Sequence, residues 1–254
     1  IYDISFPRES KNFIDVEDIN SLDNLKNSSC IINLAAIHRD DVKPLSRYDD
    51  VNVNGAVNIC ECARKFGINK IIFTSSVAIY GFAPKNTGED GEPNYFNDYG
   101  RTKYLAENVY IEWFNENPSD KSLTIIRPTV IFGEANRGNV FNLLRQIASK
   151  KFVMFGDGKN IKSMAYVENV AAFIEQRTMS RLWPKFKEKN RNRLFYPSTK
   201  NHRELIFWTS GVIFRDEFQG NAQKFTAPPN RHFTCFETTF ETLQNLQTAG
   251  KLRG

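Results

Sequence analysis

The sequence lacks the features that mark secreted, membrane-spanning and metal-binding chains. No apolar run approaches the roughly 20 residues of a transmembrane helix, and no secretory signal peptide opens the sequence, so we expect no membrane partner. Its cysteines form no disulfide framework, and Cys60 and Cys62 have no histidine nearby. A metal site or buried free thiols could explain that pair, and free thiols are favoured. We therefore expect no metal site and a reducing, cytoplasmic compartment. The cysteines are Cys30, Cys60, Cys62 and Cys235.

Signatures of nucleic-acid binding are also missing, although the net charge is +5. Residues 1–176 hold 20 basic and 23 acidic residues, and residues 177–254 hold the remaining 14 and 6. A basic segment can bind a polyanion or simply be solvated. Because no zinc-finger, helix-turn-helix or RNA-binding pattern accompanies it, we favour a solvated segment and expect no nucleic-acid partner.

Short apolar runs alternate with helix-like segments in the first two thirds of the chain. The predicted strands cover 30–36, 70–76 and 122–133, and the predicted helices cover 48–67, a segment beginning near residue 99, and 140–150. This alternation predicts an α/β fold with a parallel sheet covered by helices. Ligands of such sheets bind beyond the carboxyl ends of the strands, so Ser75 and Ser76 are candidate functional residues.

A tyrosine and a lysine four residues apart form another candidate. Tyr99 and Lys103, in YGRTK, would share one face of a helix. The same spacing recurs at Tyr196 and Lys200, in YPSTK. Spacing alone therefore does not separate a catalytic pair from an ordinary helix surface.

Five segments of the sequence stand in a familiar order: INLAA, VNVNGAVNICECARKFGINKIIFTSSVAIYG, YGRTKYLAE, IIRPTVIFG and FGDGKNIKSMAYVENVAAFI. With Ser76 placed 23 residues before Tyr99, they resemble the extended short-chain dehydrogenase/reductase family, in its nucleotide-sugar epimerase/dehydratase branch. The resemblance implies an N-terminally truncated, Rossmann-like doubly wound parallel sheet in residues 1–130. A smaller substrate-binding region would occupy residues 131–254, of which 177–254 are divergent and basic.

The resemblance assigns catalysis to Ser76, Tyr99 and Lys103, and no serine strand precedes YPSTK. Tyr99 would be the base, Lys103 and the nicotinamide charge would lower its pKa from about 10, and Ser76 would orient the substrate hydroxyl. The family's dehydratases carry Asp-Glu where this sequence has Val77 and Ala78, so dehydration is disfavoured. NAD-dependent 4-epimerisation of a nucleotide sugar through a 4-keto intermediate is the first hypothesis. A 4-keto sugar reductase and a catalytically silent fragment or paralogue remain open.

The resemblance further implies NAD as the cofactor and a nucleotide sugar as the substrate. An acid at Asp3 would accept the ribose hydroxyls and repel the 2′-phosphate of NADP. Asn52 is either a cofactor-side residue or one that positions its helix. The predicted cofactor-binding residues are Asp3, Asp15, Val16, Leu34, Ala35, Ala36, Asn52 and Lys103. The predicted substrate-binding residues are Ser76, Thr129 and Lys162, the last in place of an arginine that grips the diphosphate.

A glycine-rich turn that binds the pyrophosphate, G-x-x-G-x-x-G, is typical of the family and is missing from these residues. We therefore expect this chain to bind NAD weakly or not at all. By resemblance we also expect a homodimer and a role in making precursors of cell-surface polysaccharides.

Overall fold

The computed structural model describes residues 3–84, 87–149, 152–153, 161–178, 203–207 and 235–239. The strands are β1 (Ile31–Asn33), β2 (Lys70–Thr74), β3 (Ser122–Arg127), β4 (Val130–Phe132), β5 (Ile161–Tyr166), β6 (Arg203–Phe207) and β7 (Cys235–Thr239). The α-helices are α1 (Ser46–Tyr48), α2 (Gly55–Phe66), α3 (Asp98–Asn115), α4 (Asn139–Ala148) and α5 (Val167–Thr178). A π-helical segment, Asp49–Asn54, joins α1 to α2, and short 3-10 helices cover Ser21–Leu25 and Val77–Tyr80.

Four strands form a parallel sheet in the order β1-β2-β3-β6. Ile71 of β2 pairs with Ile31 on one side and with Leu123 on the other. The two middle strands bury most of their residues, as strands of a covered parallel sheet do. The predicted α/β fold with a parallel sheet is therefore confirmed.

The contacts divide the described elements into two compact units. The first ends at Arg127 and also includes β6, and the second begins at Pro128 and includes β4, α4, β5 and β7. In the second unit β5 pairs with β4 in parallel and with β7 in antiparallel. The boundary predicted at residue 130 stays a prediction for the whole protein.

All three predicted strands are shorter than the apolar runs that suggested them, and the one predicted over 70–76 ends at Thr74. The strand predicted over 30–36 ends at Asn33, whose side-chain oxygen accepts a hydrogen bond from the Ala35 N–H at 2.9 Å and turns the chain out of the sheet. Leu34 is consequently 61% exposed rather than buried. The strand predicted over 122–133 is two strands, because Pro128 lacks the N–H that would continue the ladder.

The core of the first unit lies between α2, α3 and the sheet. It contains Ile59, Cys60, Cys62, Ile71, Phe73, Tyr110, Trp113, Leu123 and Ile125. Cys60 and Cys62 are buried free thiols, as predicted, and burial raises the pKa of Cys60 to about 12. None of the helices in the described residues is both long and apolar enough to cross a membrane.

Candidate active site

The two serines after β2 have different environments. Ser75 continues the strand, since its N–H donates to the Ile126 carbonyl at 2.6 Å, and its buried hydroxyl has no partner among the described residues. Ser76 is extended and caps the 3-10 helix that follows, where its hydroxyl accepts from the Ala78 N–H at 3.1 Å. The chain therefore turns at Ser76, at the carboxyl end of β2.

Tyr99 lies in the first turn of α3 and is brought to Ser76. The helix begins after Asn97, whose side-chain oxygen accepts a hydrogen bond from the Gly100 N–H at 2.9 Å. Burial raises the pKa of the Tyr99 phenol, and a side-chain hydrogen bond with Ser76 lowers it in part. The fold thus brings Ser76 and Tyr99 together, and their predicted catalytic roles stay predictions.

Gly100 permits this approach. A Cβ placed there would lie 2.5 Å from the Ala78 carbonyl oxygen, a backbone atom of the segment that Ser76 begins. Any larger residue would push the start of α3 away from that segment. Sequence reasoning did not assign Gly100 a role, although the glycine directly after Tyr99 was the available signal.

Lys103 lies one turn after Tyr99 on the same helix, as predicted, and is deeply buried. The residue is 2% exposed, and its Nζ lies 4.3 Å from the centroid of the Phe73 ring. Burial lowers the pKa of Lys103 to about 7, and the charge of Glu107 opposes that change. Among the described residues, Ser76 is the group that lowers the pKa of the phenol. The expectation that Lys103 and the nicotinamide charge lower it stays a prediction.

Asn52 joins the loop after β1 to the tyrosine helix. Its side-chain oxygen accepts from the Ile37 N–H at 2.8 Å, and its amide donates to the Ile37 carbonyl at 3.0 Å and to the Thr102 hydroxyl at 2.9 Å. The sequence left two roles open for Asn52, to position its helix or to face the cofactor, and these hydrogen bonds favour the positioning role. The cofactor-binding role of Asn52 stays a prediction.

Three predicted cofactor residues lie in the segment before β1. Asp3 bridges to Phe13, and its exposed carboxylate has its pKa lowered by hydrogen bonds from Ser5. The Asp15 carboxylate accepts from the Glu17 N–H at 3.0 Å. Val16 packs on α2, where a Cβ at Gly55 would meet its methyl group at 2.8 Å.

The other predicted cofactor residues follow β1. Leu34 and Ala35 are exposed, and Ala36 is half-buried. The exposed carboxylate of Asp3 could accept ribose hydroxyls, and the small or apolar side chains after β1 could pack against a cofactor. The described residues thus fit the nucleoside parts of NAD. They do not supply a glycine-rich turn for its pyrophosphate, since the sequence holds none.

The predicted substrate residues Thr129 and Lys162 lie in the second unit. Thr129 follows Pro128, and its buried hydroxyl oxygen has no hydrogen-bond partner among the described residues. Lys162 is a residue of β5, and its side chain lies outside the part of the structure that is described. The second Tyr-Lys pair, residues 196–200, also lies outside it.

A buried ion pair beside the site was not anticipated from the sequence. Glu107 of α3 is 1% exposed and Arg127 of β3 is 7% exposed. The guanidinium donates to both carboxylate oxygens, at 2.9 and 2.6 Å, and also contacts the Tyr80 hydroxyl and the Glu89 carbonyl. Arg127 therefore ties α3 to the segment that runs from Ser76 toward Tyr99.

Residues 6–177 match the model of the NAD dependent epimerase/dehydratase family. The chain is 54% identical over 162 residues to N-acetyl-alpha-D-glucosaminyl-diphospho-ditrans,octacis-undecaprenol 4-epimerase of Escherichia coli O157:H7, covering 63% of this chain and 49% of that protein. It is 28% identical to UDP-glucose 4-epimerase of Vibrio cholerae, covering 59% and 48%. The chain thus spans about half the length of these curated relatives.

Solved structures show the same fold at lower identity. MoeE5 in complex with UDP-glucose and NAD matches with a TM-score of 0.65 at 19% identity, over 94% of this chain and 68% of that chain. UDP-glucose 4-epimerase of Thermotoga maritima with UDP-glucose matches with a TM-score of 0.62 at 19% identity, over 96% and 71%. The predicted Rossmann-like class agrees with these folds. Since the family model covers well over half of its residues, the chain belongs to the NAD dependent epimerase/dehydratase family.

Proposed function

We propose that this protein is an NAD-dependent 4-epimerase that inverts a diphosphate-linked sugar through a transient 4-keto intermediate. The observation that carries the proposal is the meeting of the Ser76 hydroxyl with the Tyr99 phenol, with Lys103 one helical turn further on. A hydroxyl, a phenol and an amine of this kind can orient a sugar hydroxyl and take its proton.

The residues of this chain would carry out the proton transfers of the proposed reaction. Tyr99 takes the proton of the C4 hydroxyl. The Ser76 hydroxyl has one hydrogen, which it donates to the phenolate before this transfer and to the sugar oxygen after it. Bound NAD would accept the hydride that leaves C4 and would give it back to the opposite face of the keto carbon. The 4-keto sugar then turns, and Tyr99 returns the proton to the oxygen on the inverted carbon. Lys103, one helical turn after Tyr99, would in its protonated form balance the charge of the phenolate.

The sequence leaves two alternatives open, a 4-keto sugar reductase and a catalytically silent chain, and it disfavours a third, dehydration. Val77 and Ala78 after Ser76 carry no proton-transferring group, which argues against dehydration. A 4-keto sugar reductase would use the same three residues and would consume reduced cofactor with each turnover. A catalytically silent chain would retain the residues and turn over nothing.

The carrier of the sugar has two candidates, a nucleotide and a polyprenol, each joined through a diphosphate. The nucleotide is the expectation from the family resemblance. The relative at 54% identity is named for an undecaprenol-linked substrate. In this chain Phe82 and Phe96 stack with centroids 4.9 Å apart and are 86% and 61% exposed. They lie in the segment between Ser76 and Tyr99, and such exposed rings favour an amphiphilic substrate.

The test uses the purified chain with millimolar NAD, because the sequence holds no G-x-x-G-x-x-G turn. UDP-N-acetylglucosamine and a polyprenyl-diphosphate-linked N-acetylglucosamine are each offered, and proton NMR follows the C4 epimer. We expect an epimer from the unaltered chain and a loss of at least about 100-fold in Tyr99→Phe, from removal of the acid–base group. Tyr104→Phe, on the same helix, is the matched control and should keep its rate.

Each outcome decides between the hypotheses. Epimer formation without net change in NADH supports the epimerase, whereas stoichiometric NADH oxidation with a 4-keto sugar supports the reductase. No product with either carrier contradicts the proposal and supports the silent chain. We further propose a homodimer, a cytoplasmic location and a role in polysaccharide precursor synthesis. The family resemblance supports the homodimer and the polysaccharide role, and the buried free thiols of Cys60 and Cys62 suit a reducing compartment.

A further inference from the structure

Lys103 and Glu107 occupy positions on α3 that normally pair with each other. They are four residues apart, so their side chains reach the same side of the helix, and both are almost fully buried. A buried carboxylate one turn from a buried ammonium is expected to take it as its ion-pair partner. The structure shows a different arrangement.

Arg127 forms the ion pair with Glu107 instead. Its Nε donates to one carboxylate oxygen at 2.9 Å and its Nη2 to the other at 2.6 Å, a two-pronged contact that a lysine cannot reproduce. Lys103 lies over the Phe73 ring of β2, on the neighbouring strand to the one that carries Arg127. The carboxylate is held toward β3 and the ammonium toward β2.

We propose that Arg127 is a positioning residue for Lys103: by occupying both oxygens of Glu107, it keeps the carboxylate from pairing with Lys103 and leaves the lysine for the active site. This inference rests on the proposed function, which gives Lys103 its role. The hydrogen bonds of the Arg127 guanidinium reach Glu107, Tyr80 and Glu89, so its effect on Lys103 passes through Glu107.

Few groups face Lys103, so a change in one of them can be measured at the lysine itself. Glu107 is the charged group that acts on it among the described residues, and β2 presents the aromatic ring of Phe73. Arg127 and Tyr80 act through their contacts with each other and with Glu107. Removing Arg127 frees the carboxylate to turn toward Lys103, and removing Glu107 takes away the one charge that favours the ammonium.

The experiment titrates Lys103 directly by NMR of the chain labelled with carbon-13 at the lysine Cε, with the signal assigned by its loss in Lys103→Met. Arg127→Gln should raise the pKa of Lys103 by about 1–3, since an unpaired carboxylate then lies beside it. Glu107→Gln should lower the pKa of Lys103 below that of the unaltered chain. In the double variant Glu107→Gln/Arg127→Gln the rise in pKa should vanish.

The control variant is Arg127→Lys, which keeps the positive charge and loses the two-pronged contact, and should raise the pKa by less than Arg127→Gln does. It also serves if Arg127→Gln does not fold. Equal changes in the pKa of Lys103 with and without Glu107, or an unchanged pKa in both Arg127→Gln and Arg127→Lys, would overturn the inference. The titration needs no turnover, so an inactive chain would sink the proposed function and leave this result to stand by itself.

Discussion

Replacing Lys103 by methionine should stabilise the fold near neutral pH while destroying its proposed chemistry. Burial lowers the pKa of Lys103 from its ordinary 10.5 to about 7. A pKa lowered by 1 corresponds to about 1.4 kcal/mol, so the charged lysine costs on the order of 4–5 kcal/mol in the folded chain. Methionine keeps the length and packing of the side chain and removes that cost.

The contact of the ammonium with the Phe73 ring works in the opposite direction. Its loss costs about 1–2 kcal/mol, part of which a methionine sulfur on the ring restores. The balance predicts that Lys103→Met raises the free energy of unfolding at pH 7 by about 2–4 kcal/mol. A functional residue that weakens the fold in this way is common at active sites.

The free energy of unfolding of the unaltered chain depends on pH through Lys103. Between pH 7 and 10.5 the unfolded chain holds a proton on Lys103 that the folded chain has released. The free energy of unfolding contributed by this group therefore rises with pH across that window, by up to about 1.4 kcal/mol per pH unit, and is constant below and above it. In Lys103→Met this rise is absent, so the two chains converge as the pH increases.

Urea unfolding followed by circular dichroism at pH 6, 7, 8 and 9 measures both quantities. We expect the stability difference to be largest at pH 6 and 7 and to shrink at pH 9. Lys65→Met is the matched control, because Lys65 is exposed on α2 and its exchange should change stability by less than about 1 kcal/mol. A Lys103→Met chain that is less stable at pH 7, with an unchanged pH dependence, would refute the reasoning.

Three further substitutions test the packing of the site. Gly100→Ala should cost about 1–3 kcal/mol and lower activity, because its methyl group meets a backbone oxygen, whereas Gly67→Ala, at a φ of +65°, should cost about 1 kcal/mol and spare activity; urea melts and rates separate the two. Asn52→Ala should cost about 2–4 kcal/mol in urea melts, since it leaves buried partners in the loop after β1 and in α3 unsatisfied; a loss below about 0.5 kcal/mol would contradict its positioning role. Ser76→Ala should raise the pKa of Tyr99 further, measured by NMR of carbon-13 tyrosine, and an unchanged pKa would contradict the contact.

Much of the first unit could be predicted because local signals decide it. The alternation of apolar runs and helical patterns predicted the strands, α2 and α3, and Gly67 ends α2 in the left-handed conformation that glycine adopts readily. The family resemblance placed Ser76, at a strand end, and Tyr99, on a helix, in one catalytic site. The serine and the tyrosine do meet, though 23 residues apart in sequence.

The features that could not be predicted depend on tertiary contacts. The apolar run through Leu34 looks like a strand, but the Asn33 side chain accepts from the Ala35 N–H and the Thr74 hydroxyl donates to the Asn33 carbonyl where the strand ends. Glu107 and Arg127 are 20 residues apart and read separately as surface charges, although they form a buried pair. The sequence likewise describes Lys103 as an ordinary cation, because its pKa is set by a burial that no spacing reveals.

The most direct test of the central claim follows the hydrogen on the sugar carbon. The chain is incubated with millimolar NAD and N-acetylglucosamine linked to either diphosphate carrier and deuterated at C4, and the product is examined by NMR and mass spectrometry. Epimerisation through a 4-keto sugar, with Tyr99 handling only the hydroxyl proton, predicts an inverted C4 that retains the deuterium and loses nothing to solvent. An inverted product with hydrogen from solvent at C4, or a Tyr99→Phe chain that inverts C4 at the unaltered rate, would contradict it.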